Sequence, residues 1–299
     1  LGLTPQKSLL PMLAVSLSAV LWGLWWIPLR WLDDRGLRGD WASFAIFGLA
    51  SLALLPLVVR RGRWSADQIK ALLAIGVPLG IALVMWNHAV IHGNVIRVVL
   101  LFYLSPIWAT LMARVMLAAP IRPTRWLAII LGFAGAAVIL EVDILTSDRV
   151  SAEYSSADVM ALLSGVCFAF AATKTRVHTG VRELDKTFVS VLAAAGVALL
   201  FIVATKTPPP FQAVGGLLAV ASGVALFFLL PTTALLLWGA GLLDPGRVAI
   251  LLLLEVLTAA ISSALLTSEP LGLRQLLGCA LILAAGLMES APGLRRQKA

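Results

Sequence analysis

Glu255 is a lone carboxylate in the aliphatic run LLLLEVLTAAISSALL, residues 251–266. At the middle of a bilayer helix such a group costs roughly 2.5–3.5 kcal/mol on insertion scales, so it should face a cavity or a partner, or hold a proton. Two chemistries suit it: contact with a solute ammonium, or carriage of a coupling proton. The structural alternative is a neutral acid hydrogen-bonded to a neighbouring helix.

Aromatic residues gather in the same class of apolar segment. LWGLWWIPLRW, residues 21–31, holds four tryptophans. Trp31 falls at headgroup depth, where indoles anchor helices to the interface, but Trp22, Trp25 and Trp26 lie deeper. Their i, i+3, i+4 spacing sets them on one helix face, as the wall of an aromatic cavity; packing between helices and lipid contact are the alternatives. MWNHAV, residues 85–90, adds Trp86, Asn87 and His88, and FYLSPIW, residues 102–108, adds Tyr103, Ser105 and Trp108. Amide and hydroxyl groups can hydrogen-bond a carboxylate or ammonium, and indole faces attract cations. Phe168 matches Trp22 in the second half of the chain, and Trp238 roughly matches Trp86. These are the expected substrate-binding residues. His88 is equally compatible with a simple hydrogen-bonded interface role.

His88 and His92 share a helical i, i+4 spacing, yet no third ligand clusters with them in the sequence, so neither a metal nor a cofactor is expected. An H-E-x-x-H motif and a Walker A loop are both absent, which disfavours an intramembrane enzyme and an ATP-driven pump. Cys167 and Cys279 lie in apolar runs, the ordinary setting of a buried thiol rather than of a disulfide.

The elements that carry these residues follow from composition. The 299-residue chain is 60% hydrophobic and 13% charged, with mean hydropathy +0.97, far from the roughly 25% charge of a soluble domain. The implied class is an all-α integral membrane protein. Hydropathy breaks predict ten transmembrane helices, near 11–30, 41–59, 69–90, 97–117, 124–142, 158–174, 187–204, 214–239, 247–266 and 274–290. The first run carries no A-x-A cleavage signal and reads as a retained helix. With the N-terminus inside, 16 of the 23 basic residues fall on cytoplasmic segments. The positive-inside rule then puts both termini, residues 1–10 and the basic tail 291–299, in the cytoplasm. The net charge of +8 is thereby explained without nucleic acid. The lipid bilayer is the partner it implies.

Residues 97–140 and 247–290 align without a gap at nine identical positions, with Arg97 over Arg247 and Pro120 over Pro270. SAVLWG at 18–23 resembles SGVCFA at 164–169. The chain thus divides into two five-helix repeats, 11–142 and 158–290, joined by an exofacial linker, 143–157. Five is odd, so the second repeat enters the membrane from the opposite face, the inverted topology of carriers that alternate access around a midplane site. Pro78, Pro106 and Pro231 lie near the centres of their helices and are expected to kink them around that cavity. Arg97 and Arg247 read as snorkelling anchors.

SPIWATLMARVMLAAPIRPTRWLAIILGFAGAAVIL, its partner EVLTAAISSALLTSEPLGLRQLLGCALILAAGLMES, and the Trp22-Gly23 pair resemble the EamA-type drug/metabolite transporter superfamily, over almost the whole chain. The aromatic-rich first half is similar to the aromatic amino acid exporter branch, which is also associated with efflux of flat cationic drugs. The superfamily's Gly-Glu before the turn between the fourth and fifth helices is replaced by Ala118 and Ala119, while Ser268 and Glu269 partly keep it. The resemblance implies a secondary transporter in the cell inner (plasma) membrane that exports small amphipathic solutes, foremost amino acids including aromatic ones, with protons as a candidate coupling ion. An uncoupled facilitator and a drug effluxer are the alternatives.

Overall fold

The structure, a computed structural model, describes residues 5–37, 39–92, 98, 101–102, 104–118, 123–139, 156–210 and 214–266, with scattered positions between 273 and 288. Tyr103, Arg97, Pro120, Pro270, Cys279, the linker through residue 155 and the tail from 291 lie outside the described residues. Among the described residues the regular elements are all helices. In the first half the helices are α1 (Pro5–Gly23), α2 (Trp26–Asp34), α3 (Asp40–Val59), α4 (Ala66–His92), α5 (Ser105–Leu117) and α6 (Pro123–Ile139). In the second they are α7 (Ser156–Val177), α8 (Glu183–Thr205), α9 (Val214–Gly223), a π-helical turn (Val224–Leu229), α10 (Leu230–Leu242), α11 (Pro245–Leu251) and α12 (Leu254–Leu266).

Among the described residues, six helical spans are long and apolar enough to cross a membrane; two of them join shorter pieces, Leu9–Asp34 and Gly215–Leu242. Some ends run a few residues beyond the hydropathy breaks, as in α8, which starts at Glu183 rather than 187.

Proline acts differently at each expected kink. Pro78 sits within an unbroken α4. Pro106 stands at the start of α5, after a tight turn in which Leu104 N–H donates to Leu101 O. Pro231 opens α10 directly after the π-helical turn; a proline lacks the N–H that would reach back four residues and its ring crowds that carbonyl, and the wider turn relieves both. A further break, at Leu24 and Trp25, has the same cause in Pro28, four residues beyond Leu24; here Trp25 N–H bonds to Trp22 O and Ile27 N–H to Leu24 O. Leu252 and Leu253 also form a break, between α11 and α12, with no proline nearby.

The halves are interleaved. α4 packs along α7 and α8, α3 along α8, and α10 along α1, while α5 meets α7 and α11, and α12 meets α1. Exchanging the halves converts the α4 with α7 pairing into α10 with α1, and α5 with α7 into α12 with α1. Small residues allow the closest crossings, as expected where lipid removes the usual hydrophobic drive between helices. A Cβ on Gly80 of α4 would lie 2.6 Å from Ala194 N of α8, and one on Gly23 of α1 would lie 2.6 Å from Glu255 O of α12.

Candidate functional site

The interleaving leaves a partly open cavity between the halves. Its lining comes from the helices already placed, with Phe102 just before α5 and Leu252 between α11 and α12. Trp22 projects from the last turn of α1. Leu79, Ala82, Leu83, Trp86 and Asn87 form one stripe of α4, repeating at the three- and four-residue spacing of a single helix face. Phe102 and Phe168 face each other at a centroid distance of 5.8 Å, and Trp86 meets Phe102 edge-on at 6.5 Å. Thr233 and Leu236 come from α10, Leu252 from the break before α12, and Glu255 from the first turn of α12.

Four rings thus surround a space that also has polar groups. Glu255 stands in the first turn of α12, where the helix N-terminus favours a carboxylate, so the unforeseen break gives this acid a setting inside an apolar run. Trp22 Nε1 and Thr233 Oγ1 are buried in the wall with no hydrogen-bond partner among the described residues. Asn87 is oriented from behind: its Oδ1 accepts from Trp25 Nε1 at 3.1 Å and its Nδ2 donates to Ser43 Oγ at 3.0 Å. One amide N–H remains for the cavity. Asn87→Leu would orphan the indole and the hydroxyl, at about 1–3 kcal/mol for each buried group left unpaired. A clear fall in melting temperature of the detergent-solubilised chain is the expected result, and an unchanged Tm would refute this role of the amide.

The residues singled out in the sequence divide into two groups. Trp22, Trp86, Asn87, Phe168 and Glu255 share the cavity. Trp25 is fully buried behind it, edge-on to Trp22 at 5.3 Å, and Trp26 donates from Nε1 to Ser262 Oγ at 3.0 Å. The break at Leu24 and Trp25 resets the helical phase, so the three indoles do not form one face. Ser105 is buried near the start of α5, Trp108 packs beside Ala109 and Ala169, and Pro106 borders a smaller void with Gly132 and Phe133. Trp238 is 38% exposed on the outside of the bundle. It follows Pro231 by seven residues where Trp86 follows Pro78 by eight, and one residue is about 100° of rotation about a helix. His88 lies beyond the cavity, paired with Asp40.

Phe102 and Thr233 were not singled out as site residues. Phe102 stood in the quoted FYLSPIW stretch, and Thr233 follows Pro231 by two residues, a spacing that pointed to the same region.

From the cavity, Leu79, Phe168 and Leu236 lead to a smaller void that ends at Thr175. Beyond it the bundle closes with charge. Arg61 pairs with buried Asp185, Lys186 Nζ bonds Glu183 Oε1 at 2.9 Å, Arg176 donates to Gly241 O at 2.8 Å, and Arg125 meets Asp244 at 2.8 Å. Lys186 is wholly buried, an ammonium that depends on its partner.

A solved structure described only as a crystal structure of protein superposes with a TM-score of 0.70 at 16% identity, covering 99% of this chain and 100% of that one; at this identity the likeness concerns the fold. No curated protein matches the sequence. The profile of the EamA-like transporter family matches twice, over residues 9–141 and 155–288. Two family repeats account for nearly the whole chain, with the cavity between them, and this multi-pass membrane protein belongs to the EamA-like transporter family.

Proposed function

We propose that the chain is a secondary exporter of small amphipathic solutes, foremost amino acids including aromatic ones, working by alternating access between two inverted five-helix halves in the cell inner (plasma) membrane. The observation that carries this reading is the composition of the cavity wall. Glu255 offers a carboxylate to a solute ammonium. Trp22 Nε1 and Thr233 Oγ1 offer donors to a solute carboxylate. Trp22, Trp86, Phe102 and Phe168 supply apolar and aromatic contact for a side chain, the usual make-up of a small-molecule site with a few placed polar groups.

The exchange symmetry of the helix pairings supports the inverted arrangement, in which ten helices follow from the hydropathy breaks and two cytoplasmic termini from the positive-inside pattern. On that topology the charged closure at Arg61, Asp185, Glu183 and Lys186 is the cytoplasmic gate. Export direction and the plasma membrane rest on the aromatic exporter resemblance.

A flat organic cation is the second reading, favoured by the four rings beside one carboxylate. Thr233→Val separates the two. A hydrogen bond to a charged group contributes about 1.5–3 kcal/mol, so loss of the hydroxyl should raise KM for zwitterionic amino acids about tenfold or more and leave flux of a carboxylate-free cation unchanged. Trp22→Ala should abolish both. The assay is radiolabelled tryptophan, phenylalanine, threonine and methionine flux in proteoliposomes, with and without a pH gradient, beside a planar cation. Absence of amino acid flux from folded protein would overturn the substrate class, and wild-type kinetics in Trp22→Ala would remove the cavity from the transport path.

A further inference from the structure

Outside the cavity, three ligand-type side chains converge where α3 begins and α4 ends. Asp40 is the first residue of α3, and His88 and His92 occupy the last turns of α4. His88 Nδ1 lies 3.1 Å from both carboxylate oxygens of Asp40, and the two imidazole centroids are 4.3 Å apart. One ligand atom from each of the three residues falls within 4.8 Å of the others. We propose that Asp40, His88 and His92 form a binding site for a first-row divalent transition ion of the Zn²⁺ class.

The donor set suits that class. Two imidazoles and a carboxylate favour borderline ions over Ca²⁺ or Mg²⁺, which take oxygen. With metal–ligand bonds of about 2.0–2.2 Å, a tetrahedral ion separates its ligand atoms by about 3.4 Å. The His88 to Asp40 spacing is already near that value. Only the His92 arm must close in, and its exposed side chain can do so by changing rotamer. Two histidines one helical turn apart point along the same face, and the third ligand arrives from 48 residues earlier in the chain.

The surroundings hold the set in place. Gly39 N–H donates to Asp33 Oδ1 at 2.9 Å, pinning the turn that presents Asp40. Phe201 of α8 lies 4.9 Å from the His88 ring, covering its buried side. His92 leaves one side open to solvent, where water can take the fourth position. The competing arrangement is a plain hydrogen bond between His88 and Asp40 with His92 uninvolved.

The test uses the full chain purified without a polyhistidine tag. Isothermal titration with Zn²⁺ should show one site per chain, reversed by chelator and accompanied by a rise in Tm, because an ion that binds only the folded state stabilises it. Co²⁺ in its place should give visible d–d absorption of a nitrogen- and oxygen-ligated ion. His92→Ala, which alters an exposed side chain, should weaken binding at least about tenfold, the scale on which even outer-shell partners of a metal act, and should abolish the Tm rise. Asp40→Asn should do the same. No stoichiometric binding by folded wild type, or His92→Ala binding as wild type does, would overturn the site and leave the hydrogen-bonded pair. Neither result depends on which solute the cavity carries.

Discussion

Glu255→Gln is expected to cut saturable amino acid flux in proteoliposomes at least about thirtyfold while Tm stays near that of wild type. Removing one partner of a desolvated, hydrogen-bonded charge pair costs about 2–5 kcal/mol, and the lower figure already corresponds to that factor. Stability should hold because glutamine keeps the shape and because the carboxylate was an expensive group for a membrane helix to retain. The pH response of the remaining flux separates two roles. Glutamine imitates the protonated acid, so if Glu255 carries the coupling proton, an imposed gradient no longer accelerates transport. If Glu255 only meets a solute ammonium, acceleration persists on the reduced flux. Wild-type rate and wild-type pH dependence together would exclude both roles.

A second large effect concerns the fold. Gly80→Val should lower Tm and yield far more than a surface change does, since a Cβ at this position would lie 2.6 Å from Ala194 N, 2.7 Å from Ala193 Cβ and 2.8 Å from Ser190 O. Two of these atoms are backbone and cannot rotate away, so α4 and α8 must separate along their whole crossing. Overpacking typically costs about 1–3 kcal/mol, and displaced helices place the change at or beyond the upper end. Gly196 provides the internal comparison. It lies on the same α8 with open space where its Cβ would be, so Gly196→Ala should leave Tm unchanged or raise it through the roughly 1 kcal/mol advantage of alanine over glycine in a helix. Equal melting temperatures for Gly80→Val and Gly196→Ala would show that the close crossing does not limit stability.

Both effects bear on how transport would work. The cavity wall is built by rigid helices from both halves, and the breaks near Trp25, at Leu104 and at Leu252 bring backbone turns to its edges. Interrupted helices around a central site are the places where an alternating-access carrier can change shape without unfolding its spans. The layer of Leu79, Phe168 and Leu236 stands between the cavity and the charged closure at Lys186 and Glu183. A solute moving toward that end must displace this apolar layer first and the ion pairs second.

Much of this was legible in the amino-acid sequence because the signals are local. A long apolar run fixes a helix wherever the chain folds, and the match between residues 97–140 and 247–290 marked two repeats, as the two family matches show. The depth of Trp22 and Glu255 within their runs followed from counting residues at a fixed rise. Phe168 matched Trp22 through the likeness of residues 18–23 to residues 164–169. What the tertiary structure decided is non-local. Pro28 breaks the first span between Trp22 and Trp26, so a face drawn at uniform helical spacing divides, one indole to the cavity, one behind it and one to Ser262. One residue of offset turns Trp238 outward. Thr233 and Phe102 enter the wall, and Asp40 meets His88 and His92, only because helices far apart in sequence cross at particular registers. Those registers depend on small residues such as Gly80 and Gly23 meeting a neighbouring backbone, a property of pairs of helices that the periodicity of a single segment does not contain.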